Sequence, residues 1–528
     1  MGYARVLSVG LVGLTGHLVE VEADLSAGLP GLSLSGLPDA ALHEARERVR
    51  AATINSQVSW PNRRITVNLL PASIPKHGSM FDIALAAAIL CAAGLVPVHR
   101  LEGAVLLGEL GLDGRLRPVR GILPAVLAAV RAGVDRAFVP SANSREAALV
   151  PDVRVLSVDS LGSLLDFLRG ARELPGPDPV RCGPSDVDGP DLCEVVGQER
   201  GRRAIEIAAA GGHNLALFGP PGAGKTMLAE RLPSVLPDLD DAAALEVTAV
   251  HSIAGVLTPG GDLIRRPPYQ APHHTSTSAA IVGGGAGVAR PGAVSLAHRG
   301  VLFLDEAPEY RPAVLNALRE PLENGEIRLA RAAGSACYPA RVQLVIAANP
   351  CPCGERGGEC LCSPLVRRRY LGRLSGPLLD RVDLQIDLLP VRSAQLLSER
   401  SEPESSATVA ARVHAARAAA AARWVELAGR RRGLVDRSRP NGASGWGNGS
   451  TRGAEVVIGD GARSTRPAAA APGVDRPEQL AGWTDGSDWA GTPGGGDRPG
   501  RASARSSGGE VAPGGSGAEL RPDGPGQR

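Results

Sequence analysis

Apolar positions along the first 170 residues follow two different periods. Short runs at 6–12, 17–23, 65–69 and 104–109 read as strands, while stretches at 39–52, 81–93 and 123–132 carry the wider spacing of helices. The region closes with Phe138-Val139-Pro140 and a helical stretch at 161–168, which makes it α/β or α+β material. Residues 83–98 form the longest apolar run, 16 positions and rich in alanine. It is too short for a membrane span and predicts a buried helix. Proline, glycine and aspartate then crowd residues 173–191, the signature of a linker. Beyond it a helix is expected near 202–210, followed by three apolar strands that end at Phe218, at Asp305-Glu306 and at Asn349. After Arg423 the periodicity stops. Residues 424–528 hold 24 glycines in 105 positions and are expected to be disordered. Yet they also carry Trp424, Trp446, Trp483 and Trp489, four of the five tryptophans. Aromatic residues are scarce in ordinary disordered segments. The tail is either a GC-rich coding sequence read out of frame or a genuine flexible tail, and translating the other two frames of the gene separates the two.

Composition narrows the picture. A chain of 528 residues exceeds what one core can serve, so two or three domains are expected. Its net charge of +2 gives no global field toward nucleic acid, so any such contact depends on local arginine clusters. The first ten residues lack a basic region followed by an apolar core, so no secretory signal is read there and a cytoplasmic location is expected. Only Lys76 and Lys225 are lysines; the other 55 of the 57 basic residues are arginine. Whatever bias favoured arginine elsewhere spared Lys225.

That lysine sits in Gly219-Pro220-Pro221-Gly222-Ala223-Gly224-Lys225-Thr226, directly after an apolar strand and opening a helix. This is G-x-x-x-x-G-K-[ST] in a strand–loop–helix setting, the phosphate-cradling loop of nucleoside triphosphatases. The glycines let backbone N–H groups converge on phosphates, a compact ammonium fits where a guanidinium does not, and the Thr226 hydroxyl would ligate Mg²⁺. The second strand ends in Asp305, placed to hold Mg²⁺, and Glu306, placed to activate a water. Asn349, at the end of the third, offers an amide to orient that water against the γ-phosphate. Further on, Arg381 is expected to reach a neighbouring subunit's γ-phosphate, with Arg373 second, which implies a ring of identical subunits, a homo-hexamer; the alternative for Arg381 is an ion pair with Asp380 or Asp383. ATP and Mg²⁺ are the expected cofactors.

Four of the eight cysteines lie within twelve residues, as Cys351-x-Cys353 and Cys360-x-Cys362. Clustering suits a Zn²⁺ site in a reducing compartment better than a disulfide framework, with free or redox-active thiols as the alternative. Arg367-Arg368-Arg369-Tyr370 comes next, either a phosphate contact or a solvated face.

Two resemblances add to this reading. Lys76-His77-Gly78-Ser79, the stretch Gly108 to Gly121 and the stretch Arg131 to Pro140 resemble the proteolytic domain of Lon proteases. Carried over without gaps, the family's serine falls on Met80 and its lysine on Leu123, which implies the scaffold without peptidase chemistry. From Val195 onward the chain resembles AAA+ ATPases. More narrowly, Tyr269-Gln270-Ala271-Pro272-His273-His274, Arg290-Pro291-Gly292 and the stretch Pro321 to Arg331 resemble the magnesium-chelatase-related AAA+ proteins of the YifB/ComM type. Ala293 departs from that pattern, where an acidic residue is expected, and His273 and His274 are left as metal ligands or as polar residues of a loop or pore. The resemblance implies a P-loop AAA+ parallel-sheet domain at 192–395, preceded at 1–172 by an α+β domain of the Lon-protease-like (ribosomal protein S5 domain 2-like) kind. Residues 396–423 would begin a helical lid. With no later lid arginine in view, ATP binding with weak hydrolysis is expected. The implied function is a DNA-remodelling motor, associated with branch migration in recombination and natural transformation, with DNA as partner and no membrane. The ATPase subunit of a magnesium chelatase in tetrapyrrole synthesis is the alternative, and a scaffold without turnover a third.

Overall fold

The computed structural model describes residues 2–37, 39–177, 189–257, 261–285, 289–331, 334–354, 360–374, 376–391 and 403–437. The expected disorder or frameshift of the tail therefore lies outside the described residues from 438 onward.

The N-terminal sheet has seven strands. In chain order they are β1 (Gly2–Val12), β2 (Thr15–Ser26), β3 (Gly31–Ser35), β4 (Arg64–Leu70), β5 (Ala104–Leu106), β6 (Arg136–Pro140) and β7 (Arg154–Val158). Their spatial order is β3-β4-β2-β1-β5-β6-β7. β1, β2 and β4 pair antiparallel, whereas β1–β5, β5–β6 and β6–β7 pair parallel. Helix Asp82–Ala92 is buried almost all round, which is why its sequence reads as an unbroken apolar run. It ends sooner than the run does, because Gly94 takes a φ of 73° just past its end. Three further points differ from the sequence reading. β3 has no counterpart among the expected strands, its five residues being half exposed. The 104–109 run breaks at Gly108 (φ 155°), so Glu109–Leu110 leaves the sheet and pairs with Leu116–Arg117. And the helix expected at 202–210 is longer, Glu199–Gly211.

The second sheet is all parallel. It comprises β8 (Leu215–Phe218), β9 (Tyr269–Gln270), β10 (Val301–Leu304), β11 (Gln343–Ala348) and β12 (Leu384–Asp387), in the order β9-β10-β11-β8-β12. Every residue of β10 and β11 is buried, as strands covered on both faces require. Ahead of β11, Glu326–Arg331 and Gly334–Pro339 pair antiparallel.

The two sheets share a packed boundary. Helix Asp241–Ala254 places Ala249 in one apolar cluster with Val9, Leu123 and Val126, and Ser252 donates its hydroxyl to the Glu146 carboxylate. Leu14 and Ile253 both pack on the hairpin residues Ala336 and Tyr338. The last described helix, Ser406–Arg437, buries Val409 and Val413 in the core under β8 and runs 14 positions past Arg423, where the sequence texture changes. None of the helices among the described residues is long and apolar enough to cross a membrane.

Candidate functional site

β8, β10 and β11 are neighbours and parallel, so their carboxyl ends open at one edge of the sheet. The glycine-rich loop leaves β8 there. Gly222 and Gly224 take φ values of 73° and 84°, which L side chains rarely adopt, and a Cβ at Gly219 would lie 2.6 Å from the Leu388 carbonyl oxygen. The loop is tied to both flanking strands. Gly219 N–H donates to the Ala348 carbonyl at 3.1 Å, while the Gln198 amide donates to the carbonyls of Ala223 at 2.7 Å and Leu389 at 2.6 Å.

Helix Lys225–Val235 starts at the loop, with Lys225 buried and Thr226 exposed. Lys225 Nζ donates to Gly219 O at 2.8 Å, Pro220 O at 3.0 Å and Asn349 Oδ1 at 2.9 Å. Burial holds its pKa below the usual lysine range, against the pull of the Asp305 and Glu306 carboxylates. The Thr226 hydroxyl donates to Asp305 Oδ2 at 2.7 Å. Thus the adjacent residues Lys225 and Thr226 each hold a partner far along the chain, Asn349 and Asp305 respectively, in two neighbouring hydrogen-bonded pairs. A hydroxyl and a carboxylate oxygen side by side are the donors Mg²⁺ takes from a protein when phosphates and water complete its shell, so the residues fit that ion.

Glu306 sits beside them in the left-handed region, at φ 48°. Such a backbone costs a side-chain-bearing residue of order 1 kcal/mol and clusters at functional sites. Its carboxylate faces His274, whose Nδ1 lies 3.2 Å from Oε2. His274 stacks on His273 with ring centroids 4.1 Å apart and meets Tyr310 edge-on; Tyr310 in turn donates to the Pro272 carbonyl. The sequence leaves the histidine pair open between metal ligation and a loop or pore. The structure puts His274 on Glu306, and only the parallel pairing of β9 with β10 makes that contact visible.

Other candidates stand apart from this group. Arg381 pairs with Glu323, while Arg373 donates to Glu309 Oε2 and to the Pro308 carbonyl, both at 3.1 Å. Along helix Ser406–Arg437, Arg412 binds Glu206 and Glu404, and Arg417 donates to the Ala209 carbonyl at 2.8 Å. Arg367 donates to the Cys362 carbonyl at 3.1 Å and Tyr370 is buried. The sulfurs of Cys351, Cys353, Cys360 and Cys362 converge within 4.8 Å of one another. In the N-terminal sheet Met80 and Leu123 are buried. Ser79 gives its hydroxyl to Glu109, and the ammonium of Lys76 is spent on the carbonyls of Leu69 and Pro71.

With this geometry in view, comparison with known proteins is specific. Residues 191–396 match the family model of magnesium chelatase, subunit ChlI, and residues 21–143 match a second, subunit ChlI of Mg-chelatase. The chain is 44% identical over 419 residues to the uncharacterized protein YifB of Escherichia coli, covering 79% of this chain and 82% of that one. It is 43% identical over 409 residues to the competence protein ComM of Haemophilus influenzae, covering 76% and 80%. The chain belongs to the YifB/ComM family of magnesium-chelatase-like proteins. An uncharacterized protein of Mycobacterium tuberculosis is 56% identical over 428 residues, 80% of this chain and 84% of its own length. Over 181 residues, 33% of this chain and 23% of the other, the present chain is also 29% identical to a Lon protease of Mycolicibacterium smegmatis. At the level of the family this is an AAA+ ATPase type that uses nucleotide and Mg²⁺.

Proposed function

We propose that the chain is a hexameric motor that couples ATP hydrolysis to the remodelling of branched DNA. The observation that carries the nucleotide half is the two neighbouring hydrogen-bonded pairs, Lys225 with Asn349 and Thr226 with Asp305, at the carboxyl ends of three adjacent parallel strands. In this reading the loop amides at 219–224 cradle the phosphates, and Lys225 exchanges its carbonyl partners for the β- and γ-phosphates. Thr226 and Asp305 would hold Mg²⁺, which would supply positive charge against the phosphates. Asn349, released from Lys225, orients the attacking water, and Glu306 takes its proton. His274 holds Glu306 until that step and steadies its carboxylate. The N-terminal sheet acts by docking, without peptidase chemistry, because Ser79 and Lys76 are each committed elsewhere. The cofactors are ATP and Mg²⁺, with Zn²⁺ at the four thiolates. Turnover is slow, since Arg412 and Arg417 are engaged in seating their helix and do not reach the loop.

The DNA half draws on the relation to the competence protein ComM. The alternative, a magnesium chelatase ATPase subunit, draws on the wording of the family models. The Lon-like front and the four-cysteine insert favour the motor. The test uses the full chain. Lys225→Ala should abolish binding of a fluorescent ATP analogue, whereas Glu306→Gln should bind it normally and lose about a hundredfold or more in phosphate release. Branched DNA should raise the wild-type rate. Stimulation only by a porphyrin-binding partner would turn the reading to the chelatase, and wild-type turnover of order 1 s⁻¹ or more would overturn the slow-turnover part.

A further inference from the structure

The four clustered cysteines take no part in the phosphate site, yet their sulfurs are brought close together. Cys351 Sγ lies 3.0 Å from that of Cys353 and 3.3 Å from that of Cys360, and Cys353 lies 3.5 Å from Cys360. These separations are far beyond the roughly 2.05 Å of a disulfide. Four thiolates about 2.3 Å from a central Zn²⁺ would stand about 3.8 Å apart, within the span observed. Among the described residues no histidine or carboxylate joins the cluster. A complete all-sulfur set leaves no open position, the mark of a structural rather than a catalytic ion, and thiolates select Zn²⁺ over the oxygen-seeking cations.

The place of the cluster gives it a purpose. Cys351 comes two residues after Asn349 and is buried. At the far side of its turn, a Cβ on Gly354 would stand 3.0 Å from Pro221 of the phosphate loop. Ahead of it, the Ala348 carbonyl accepts from Gly219 and the Asn349 amide oxygen from Lys225. The cysteine turn and Asn349 are therefore both laid along the loop. β11 fixes Asn349 only on its N-terminal side; on its C-terminal side that task falls to the cysteine turn.

We propose that Cys351, Cys353, Cys360 and Cys362 hold one Zn²⁺ ion, and that this thiolate centre pins the segment bearing Asn349 against the phosphate loop, so that zinc occupancy sets how well the site tells ATP from ADP. The metal half stands alone; the second half rests on the nucleotide reading above. Losing the ion frees four ligating positions at once and lets the turn at Gly354 leave Pro221, and Asn349 then loses its fixed direction.

The experiment uses the full chain purified in metal-free buffer, as wild type, Cys353→Ser, Asn349→Ala and the double variant. Metal content is counted by atomic emission, and affinities for fluorescent ATP and ADP analogues are measured on the same samples. One zinc per chain is expected in the wild type and in Asn349→Ala, and none in the two variants lacking Cys353. Each single variant should lose about tenfold of the ATP-over-ADP preference, and the double no more than either, the non-additivity of groups acting as one unit. Should Cys353→Ser fail to fold, stripping the wild type with a chelator and restoring zinc gives the same comparison. Iron in place of zinc, or no metal, overturns the centre. An unchanged ATP-over-ADP preference without zinc, or losses that add in the double variant, overturns the coupling. A wild type that takes up zinc but binds no nucleotide overturns the nucleotide reading and upholds the metal.

Discussion

Asp82 is fully buried at the start of its helix, holding Arg48 through Nε at 2.7 Å and Nη2 at 3.0 Å and accepting from Leu110 N–H. Burial still outweighs these bonds and pushes its carboxyl up to about 6. Between about pH 4 and pH 6 the folded chain keeps a proton there that the unfolded chain releases. This residue's contribution to stability therefore falls as pH rises through that window and is flat above it. A shift of that size corresponds to something on the order of 3 kcal/mol. Urea midpoints of the wild type should drop relative to Asp82→Asn between pH 4 and 7, and parallel curves would show the carboxyl to be ionised throughout. The pairing is not legible in the sequence, since Arg48 and Asp82 lie 34 positions apart on two helices whose packing nothing in the sequence states. His274 and Glu306 escape for the same reason. Lys225, Thr226, Asp305 and Asn349 are legible because phosphate and metal chemistry demand those groups at strand ends, whatever surrounds them.

Helix Ser406–Arg437 shows how a whole element reads. Its alanine-rich first half announces a helix, but the second half contains Gly429 and Gly433, each costing about 1 kcal/mol in a helix interior, so the sequence points to an earlier end. What seats the first half is specific. Val409 and Val413 enter the core beneath β8, Ser406 accepts from Leu192 N–H at 2.7 Å, and Arg412 bridges to Glu206 at 2.7 Å. Val413→Asp buries an unpaired charge and should cost on the order of 3 kcal/mol or more. Hydrogen exchange should then rise across 406–424 while β1 to β7 stay protected; loss of protection in both sheets together would mean that the helix is not a separable unit. The strands divide in the same way. β8, β10 and β11 are plain as apolar runs because both their faces are covered. β3, half exposed and five residues long, offers too little contrast.

Across the molecule, the helix Asp241–Ala254 and the 326–339 hairpin join the two sheets through two apolar clusters, so the N-terminal sheet travels with the nucleotide site. Arg381 carries the expectation of a ring. Its partner within the chain is Glu323, and a role across a subunit boundary is testable by mixing. Arg381→Ala and Glu306→Gln should each be inactive alone, and their mixture should recover hydrolysis, because an intact arginine can then face an intact glutamate. No recovery, together with an equal loss in Glu323→Gln, would make the residue a structural ion pair. The scarcity of lysine has a practical side. Lys76 is wholly buried and Lys225 is 8% exposed and fastened to three oxygens. Apart from the α-amine, an acylating reagent therefore meets one amine that becomes reachable only when the glycine-rich turn opens. A single adduct in a mass spectrum would clock that opening event without any engineered label.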